Sequence, residues 1–304
     1  MTEHAQAMPG RRAVTARTAA CFGHLWQRSG SRPRRLGQPY HLDRMLDRLA
    51  VSMPSGLVLD AGCGEGIDLA NQAARPGRAV IGVELSDGGC RASAARTRGL
   101  PSASVVQGDL CRLPFADHTF DFIYSYGVLH HLPEPGTGVR ELVRVLKPEG
   151  CLAVYLYEDF SDRHPAWQAA LRGVNAVRWA TTRMPPPALE VLCRLAAPLV
   201  FVLCTIPYRL ARRFPGLRTL AARMPFRHAT GPFSIWGDLF DRFSAPVEHR
   251  YSRAAAIGLL AAGGLGKVAA VHERGWMLVG TKPPGALAEQ GAPETSGVLT
   301  HEGR

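Results

Sequence analysis

The sequence predicts an α/β fold: a doubly wound sheet of five parallel strands closed by an antiparallel hairpin, with a helical insertion after the fifth strand. Three observations lead there. Between residues 40 and 158, short β-branched runs alternate with helical patterns, the rhythm of right-handed strand–helix–strand crossovers. A glycine-rich turn directly follows the first run, and carboxylates close the first three. Two further apolar runs near the end of the chain are almost contiguous, the spacing of a hairpin.

The elements follow in chain order. Residues 1–39 form a basic extension rich in Arg, Gly and Pro, broken by an apolar patch, Phe22-Gly-His-Leu-Trp26, that could dock on a core. Residues 40–159 form the core, with strands expected at 57–60, 79–84, 104–107, 120–125 and 151–157. Helices are expected at 66–74, 88–97 and 137–146. Residues 160–243 break the rhythm: they are helical, arginine-rich and interrupted by Pro185-Pro-Pro187, Pro198, Pro207 and Pro215. A helix at 252–262 and strands at 267–272 and 275–281 complete the core over 244–282. The tail from 283 is Gly-, Pro- and Glu-rich, a composition that predicts disorder.

Composition narrows the class. With 304 residues, 46% apolar and 20% charged, the chain can bury a sizeable core, which excludes a disordered protein and a disulfide-stapled miniature. Seven cysteines, odd in number and never spaced C-x-x-C, suit neither a zinc site nor a disulfide framework. They point to a reducing, cytoplasmic setting. The first 35 residues hold arginines but no apolar stretch, unlike a secretory signal. The net charge of +11 is uneven: residues 1–40 carry +6, residues 160–230 carry +9, and the rest carries −4. A polyanionic partner therefore belongs with the two basic segments.

The sharpest local signal is Val58-Leu-Asp-Ala-Gly-Cys-Gly-Glu-Gly66, an apolar strand running into a G-x-G-x-G turn before a helix. Glycines let the backbone approach a ligand, and the helix start offers free N–H groups. Dinucleotide-binding loops carry the third glycine one position later, where Ile67 stands. Glu84 closes the second strand, where a carboxylate can accept both hydroxyls of a ribose. Asp109 closes the third. Singly, Glu84 and Asp109 read equally well as helix caps or loop acids. With Asp60 they make an ordered set along the carboxyl edge of a parallel sheet, where such sheets bind ligands.

These residues carry a resemblance. Residues 58–158 resemble the catalytic domain of class I S-adenosylmethionine-dependent methyltransferases, in particular the type-11 group. The matching stretches are Asp60-Ala-Gly-Cys-Gly-Glu-Gly66, Glu84, Gly108-Asp-Leu110, Leu113-Pro-Phe-Ala-Asp-His-Thr-Phe-Asp-Phe-Ile-Tyr-Ser125, Val128-Leu-His-His-Leu-Pro133 and Glu141-Leu-Val-Arg-Val-Leu-Lys-Pro-Glu-Gly150. The resemblance implies a Rossmann-like seven-stranded sheet and S-adenosyl-L-methionine as cofactor. It also implies cofactor contacts from Asp60, Gly62, Cys63, Gly64, Glu84, Leu85, Asp109, Leu110 and Ser125.

Methyl transfer from a sulfonium needs donor and acceptor held in line, water excluded, and often a base for the acceptor's proton. In the family, the loop after the fourth strand approaches the methyl group. Here it contains His130 and His131, the natural base candidates because histidine titrates near neutrality, with His130 favoured. Either histidine also reads as a packing residue. Tyr126 could orient an acceptor or pack on the donor. Asp121 and Glu134 read as a strand-end and a helix-start acid, and His249 and Tyr251 as a surface turn rather than a pocket mouth. The Asp238-Leu-Phe-Asp-Arg-Phe243 stretch resembles a segment of some relatives but gains no role from the sequence.

The insertion suggests a cover for the acceptor. Its apolar run at 195–206, twelve residues, is shorter than the ~20 that cross a bilayer. It reads first as a lid helix packed on the core, and second as a peripheral membrane contact through 195–213 with Arg209, Arg212 and Arg213 on headgroups. No nucleic-acid partner is expected: where base-amino methyltransferases carry an Asn/Asp-Pro-Pro-aromatic motif, this chain has Ser125-Tyr-Gly-Val, and no RNA-binding module is recognisable. The expected function is methyl transfer to a small, apolar or amphipathic acceptor, possible without any metal. The alternatives are an idle donor-binding or membrane-surface adaptor, or an RNA methyltransferase.

Overall fold

The computed structural model describes residues 10–29, 40–224, 226, 230–232 and 234–285. Its strands are β1 (Gly56–Ala61), β2 (Arg78–Glu84), β3 (Ala103–Gln107), β4 (Phe120–Tyr126), β5 (Leu146–Leu156), β6 (Gly266–His272) and β7 (Trp276–Thr281). They form one sheet in the order β3-β2-β1-β4-β5-β7-β6. The first five pair in parallel, and β7 runs antiparallel to both β5 and β6, so six strands share one direction. Chain order reverses between β1 and β4, which opens a crevice at their carboxyl ends. Each expected strand is present. β5 starts earlier than its apolar run because Leu146 already pairs with Phe120, ahead of an irregularity in the ladder.

The helices are α1 (Arg11–Ser29), α2 (His41–Leu49), α3 (Ile67–Ala73), α4 (Asp87–Arg96), α5 (Pro135–Val145), α6 (Pro165–Thr181), α7 (Pro186–Val200), α8 (Ile206–Ala211), α9 (Arg218–Arg223), α10 (Trp236–Ser244) and α11 (Arg253–Ala262). Local chemistry sets their starts. Ser86 caps α4 by accepting from Gly89 N at 3.1 Å, Ser252 caps α11 through Ala255 N at 3.2 Å, and Pro135 opens α5. The central strands are apolar on both sides because both faces are covered. Leu59 and Ile123 pack with Leu142 and Leu260 on one face, while Val58 and Phe122 pack with Met45 and Leu69 on the other.

The basic extension contains an element its composition did not announce. α1 lies against α4, and Gly23 meets Gly88 so closely that a Cβ on Gly88 would stand 2.3 Å from the Gly23 carbonyl oxygen. Its other side faces α7. His24 Nε2 lies 2.7 Å from Glu190 Oε2, Arg28 pairs with the same oxygen at 3.0 Å, and Arg17 donates to the Thr182 and Met184 carbonyls. Residues 1–9, 30–39 and 286–304, and with them part of the basic extension and most of the tail read as disordered, lie outside the described residues.

The insertion departs from expectation in length. Its apolar run is the middle of one helix of 26 residues, Pro186–Ala211, long and apolar enough to cross a membrane by length and composition. Pro198 and Pro207 each remove a backbone donor, and a wider π-turn, Phe201–Thr205, lies between them and keeps the helix continuous. Leu189, Cys193 and Ala197 pack on Leu25, Trp236 and Phe240. The opposite side faces outward, so only one face of this helix packs on the fold.

Candidate active site

The site grows from the turn after β1. Gly62 (φ +91°), Gly64 (φ +53°) and Gly66 (φ +75°) take left-handed conformations that favour glycine. A side chain at Gly62 would collide with Val128, 2.4 Å away. Asp60, buried at the end of β1, shares this corner with Asp68 and Glu84. Burial first, then the Asp68 charge, holds the Asp60 carboxyl well above the usual carboxylate range. Glu84 Oε2 accepts from Gly64 N at 3.1 Å, and its Oε1 accepts from Ser86 N at 2.9 Å and Ser86 Oγ at 2.6 Å. A carboxylate offers about four acceptor positions, so room remains for a ligand hydroxyl. Asp109, beyond β3, accepts from Cys111 N at 2.9 Å.

These groups line a cleft of about 230 Å³. Asp60, Gly62, Cys63, Gly64, Glu84, Leu85, Asp109 and Leu110, for which the resemblance implies cofactor contacts, all line it. Ser125 does not line it. Its side chain is fully buried and its Oγ donates to the Ala61 carbonyl at 2.9 Å, tying β4 to β1. A cluster of carboxylates around a glycine turn suits a ligand that carries positive charge and the hydroxyls of a ribose. The residues present therefore fit S-adenosylmethionine.

The other half of the cleft, over β4 and β5, is aromatic. Tyr40, His41, Tyr126 and Tyr155 form a continuous stack with ring centroids 3.9, 4.3 and 4.5 Å apart. The electron-rich ring faces favour a nearby cation. Burial raises the phenols of Tyr126, Tyr155 and Tyr157, so none is a base at neutral pH. Tyr126 lines the cleft.

The two histidines separate. His131 lines the cleft, and its Nδ1 lies 2.9 Å from the Val247 carbonyl. A carbonyl only accepts, so Nδ1 carries the proton and Nε2 keeps the lone pair. Burial pushes its pKa down to about 4. His130 does not reach the cleft. It is fully buried with its ring 3.9 Å from that of Tyr157, neither ring nitrogen finds a hydrogen-bond partner among the described residues, and burial lowers its pKa well below the usual value. The sequence preference for His130 as the base is corrected here: it packs behind the wall, because the short helical turn Leu129–His131 turns its ring inward.

Other acids behave as read. Asp121 accepts from Leu57 N and pairs with Lys147 at 2.7 Å, and Glu134 is the residue before α5. His249 and Tyr251 stay off the cleft. His249 Nε2 lies 3.1 Å from the Leu132 carbonyl, and Tyr251 bridges Glu158. Several lining residues escaped sequence reasoning, among them Tyr40, His41, Asp68, Tyr155, Tyr157 and Asp241. Asp241, on α10, faces the cleft with Tyr157, and burial raises its carboxyl to about 7. Its signal was the acid inside Leu239-Phe-Asp-Arg-Phe243, whose apolar neighbours bury that helix.

Sheet order, glycine turn and acids together define a class I S-adenosylmethionine-dependent methyltransferase domain, and S-adenosyl-L-methionine is its cofactor. Residues 59–154 match the model described as a methyltransferase domain. The chain is 35% identical over 115 residues to the methyltransferase GfsG of Streptomyces halstedii, covering 37% of this chain and 41% of that one. It is 35% identical over 118 residues to the 24-methylenesterol C-methyltransferase 2 of Oryza sativa subsp. japonica, covering 38% of this chain and 32% of that one. Among solved structures, a SAM-dependent methyltransferase from Aquifex aeolicus aligns at 27% identity and a TM-score of 0.32, covering 34% of this chain and 57% of that one. The chain spans between 30% and 41% of the length of the first curated relatives it matches.

Proposed function

We propose that this protein transfers the methyl group of S-adenosylmethionine to a small, apolar or amphipathic acceptor that carries an ionisable O–H or N–H group. The observation that carries this reading is Asp241, an acid raised to about 7 on the wall of a cleft whose far side holds the cofactor residues. Bound S-adenosylmethionine supplies an electrophilic methyl on a positive sulfur. The chain supplies the rest. Glu84 and Asp109 hold hydroxyl and amino groups of the donor, while the ring stack built on Tyr126 excludes water. The acceptor lies against Tyr126 and Tyr157, with its O–H or N–H directed at an Asp241 oxygen. That oxygen takes the acceptor's proton as the new bond to carbon forms, so the released proton ends on the carboxylate. His131, neutral and with Nε2 open, accepts a hydrogen bond from the acceptor and orients it. An apolar wall with few polar groups favours an acceptor of the lipid-like kind.

The test is a screen of hydroxylated and aminated amphipathic compounds with methyl-labelled donor, followed by variants. With a substrate in hand, Asp241→Asn lowers kcat by about 10²–10⁴-fold while donor affinity measured by calorimetry is unchanged. Full turnover in Asp241→Asn removes Asp241 as the base. Donor binding without turnover of any acceptor would instead favour an idle donor-binding adaptor, the second reading open to these cofactor residues.

A further inference from the structure

We propose that the outward face of the Pro186–Ala211 helix is a docking surface for an anionic lipid bilayer, on which the protein lies without spanning it. This goes beyond methyl transfer and does not depend on it.

Among the described residues, all fourteen exposed large hydrophobic side chains fall between Trp167 and Leu217. A monomeric soluble domain does not concentrate its exposed apolar surface in this way. The densest part is a stripe on one helix: Leu192, Leu195, Leu199, Leu203, Ile206 and Leu210, spaced by three or four residues and hence on one side. Leu195 is 73% exposed and Leu203 63%. At 1.5 Å per residue, the 26-residue helix is about 39 Å long.

The opposite side shows why this helix lies on a bilayer instead of crossing it. Glu190 is buried against α1, and three side chains meet its carboxylate: His24 at 2.7 Å, Arg28 at 3.0 Å and Arg194 at 2.7 Å. Leu189, Cys193 and Ala197 pack on α10. Spanning would tear this ion cluster and apolar contact from the fold and carry charge into hydrocarbon. One face stays on the protein, and the other is left for lipid.

Charge complementarity selects the occupant. The stripe is bracketed by arginines: Arg183, stacked 4.2 Å over the indole of Trp179, precedes it, and Arg212 and Arg213 follow it. Trp179 is 64% exposed, and tryptophan favours the headgroup level of a membrane. An anionic bilayer offers an apolar layer to the leucines and phosphates to the arginines at both ends. A second copy of this chain offers the reverse. Pairing two such stripes sets Arg183 against Arg212 and Arg213, or each cluster against itself, and either way like charges meet.

The experiment is co-sedimentation of the full chain with vesicles of phosphatidylglycerol and phosphatidylcholine, and with phosphatidylcholine alone. The expected result is binding to the anionic vesicles at low salt, weakened at high salt, with little binding to neutral ones. Leu195→Glu/Leu203→Glu alters two exposed positions, keeps the melting temperature and donor affinity, and abolishes sedimentation. Arg212→Gln/Arg213→Gln weakens it by roughly fivefold per arginine. Wild type remaining in the supernatant with anionic vesicles at low salt overturns the proposal. So does sedimentation unchanged in the double glutamate variant. A dimer in light scattering that the same variant dissolves, with no vesicle binding, assigns the face to self-association and also overturns it.

Discussion

The indole of Trp26 lies over the glycine turn that follows β1: a Cβ built on Gly64 would stand 3.1 Å from two of its ring carbons. Both residues line the cleft. α1 is thus a roof on the cofactor end of the site, clamped to α4 at Gly23 and Gly88 and to α7 through Glu190. Trp26→Ala removes one aromatic wall and admits water. Donor binding by calorimetry should weaken about tenfold, the scale of one buried aromatic contact. An unchanged affinity would mean that α1 shields the turn without touching the donor.

Glu84 has two duties that a pair of variants separates. Its carboxylate holds Gly64 N and Ser86 in place and presents a remaining acceptor position to the cleft. Glu84→Ala removes both duties. Donor binding should fall by about 1.5–3 kcal/mol, the range for a hydrogen bond to a charged group, and the melting temperature should drop as well. Glu84→Gln keeps an acceptor oxygen and the packing, so it should recover most of the stability but only part of the affinity. Equal donor affinity in wild type and Glu84→Ala would remove the ribose role.

Most of the cofactor half was legible in the sequence, because each part rests on a short-range rule. The turn needs glycine at positive φ, the strands need β-branched runs, and the acids fall at strand ends by register. Asp60, Glu84 and Asp109 therefore stand where their spacing predicted. The acceptor half depends on long-range contacts that spacing does not encode. His130 and His131 are adjacent in sequence, yet one is cut off from the cleft by the turn of a single short helix. Ser125 alternates away from the cleft on a strand buried on both faces. Asp241 comes from a helix more than a hundred residues after the glycine turn, and only the packing of α10 beside α7 brings it in. α1 was hidden for another reason: it is held by a glycine–glycine approach and by ion pairs, so it carries no clean apolar stripe.

The carboxylate of Glu190 should act as the clasp between α1 and α7. Burial alone would raise its pKa, but the hydrogen bonds from Arg194 and His24 and the Arg28 charge outweigh burial and hold it below the ordinary value. A depressed carboxylate stabilises the fold above its unfolded pKa and loses that contribution as pH falls through the folded value. Glu190→Gln should therefore lower stability at pH 7 by about 1–3 kcal/mol, and the difference from wild type should shrink below pH 4 or so. Denaturant melts at the two pH values check this, and equal melts at pH 7 would show that α1 is held by apolar contact alone.

Asp241 makes the opposite prediction in stability and a matching one in rate. Burial raises its carboxyl to about 7, well above an unfolded aspartate. Between those two values the folded chain keeps a proton that the unfolded chain has lost, so this group makes stability fall as pH rises from about 4 to 7, after which its effect is constant. Asp241→Asn removes that slope, and the variant should be the more stable protein at pH 8. The same ionisation should govern turnover. If Asp241 takes the acceptor's proton, kcat/KM, which reports the free enzyme, rises with pH and levels off above about 7. The positive sulfur of bound donor favours the carboxylate, so the inflection in kcat, which reports the complex, should lie lower. His131 ionises near 4 and cannot supply an inflection near 7. An Asp241→Asn variant that keeps the wild-type inflection would therefore assign proton removal to a group other than these two.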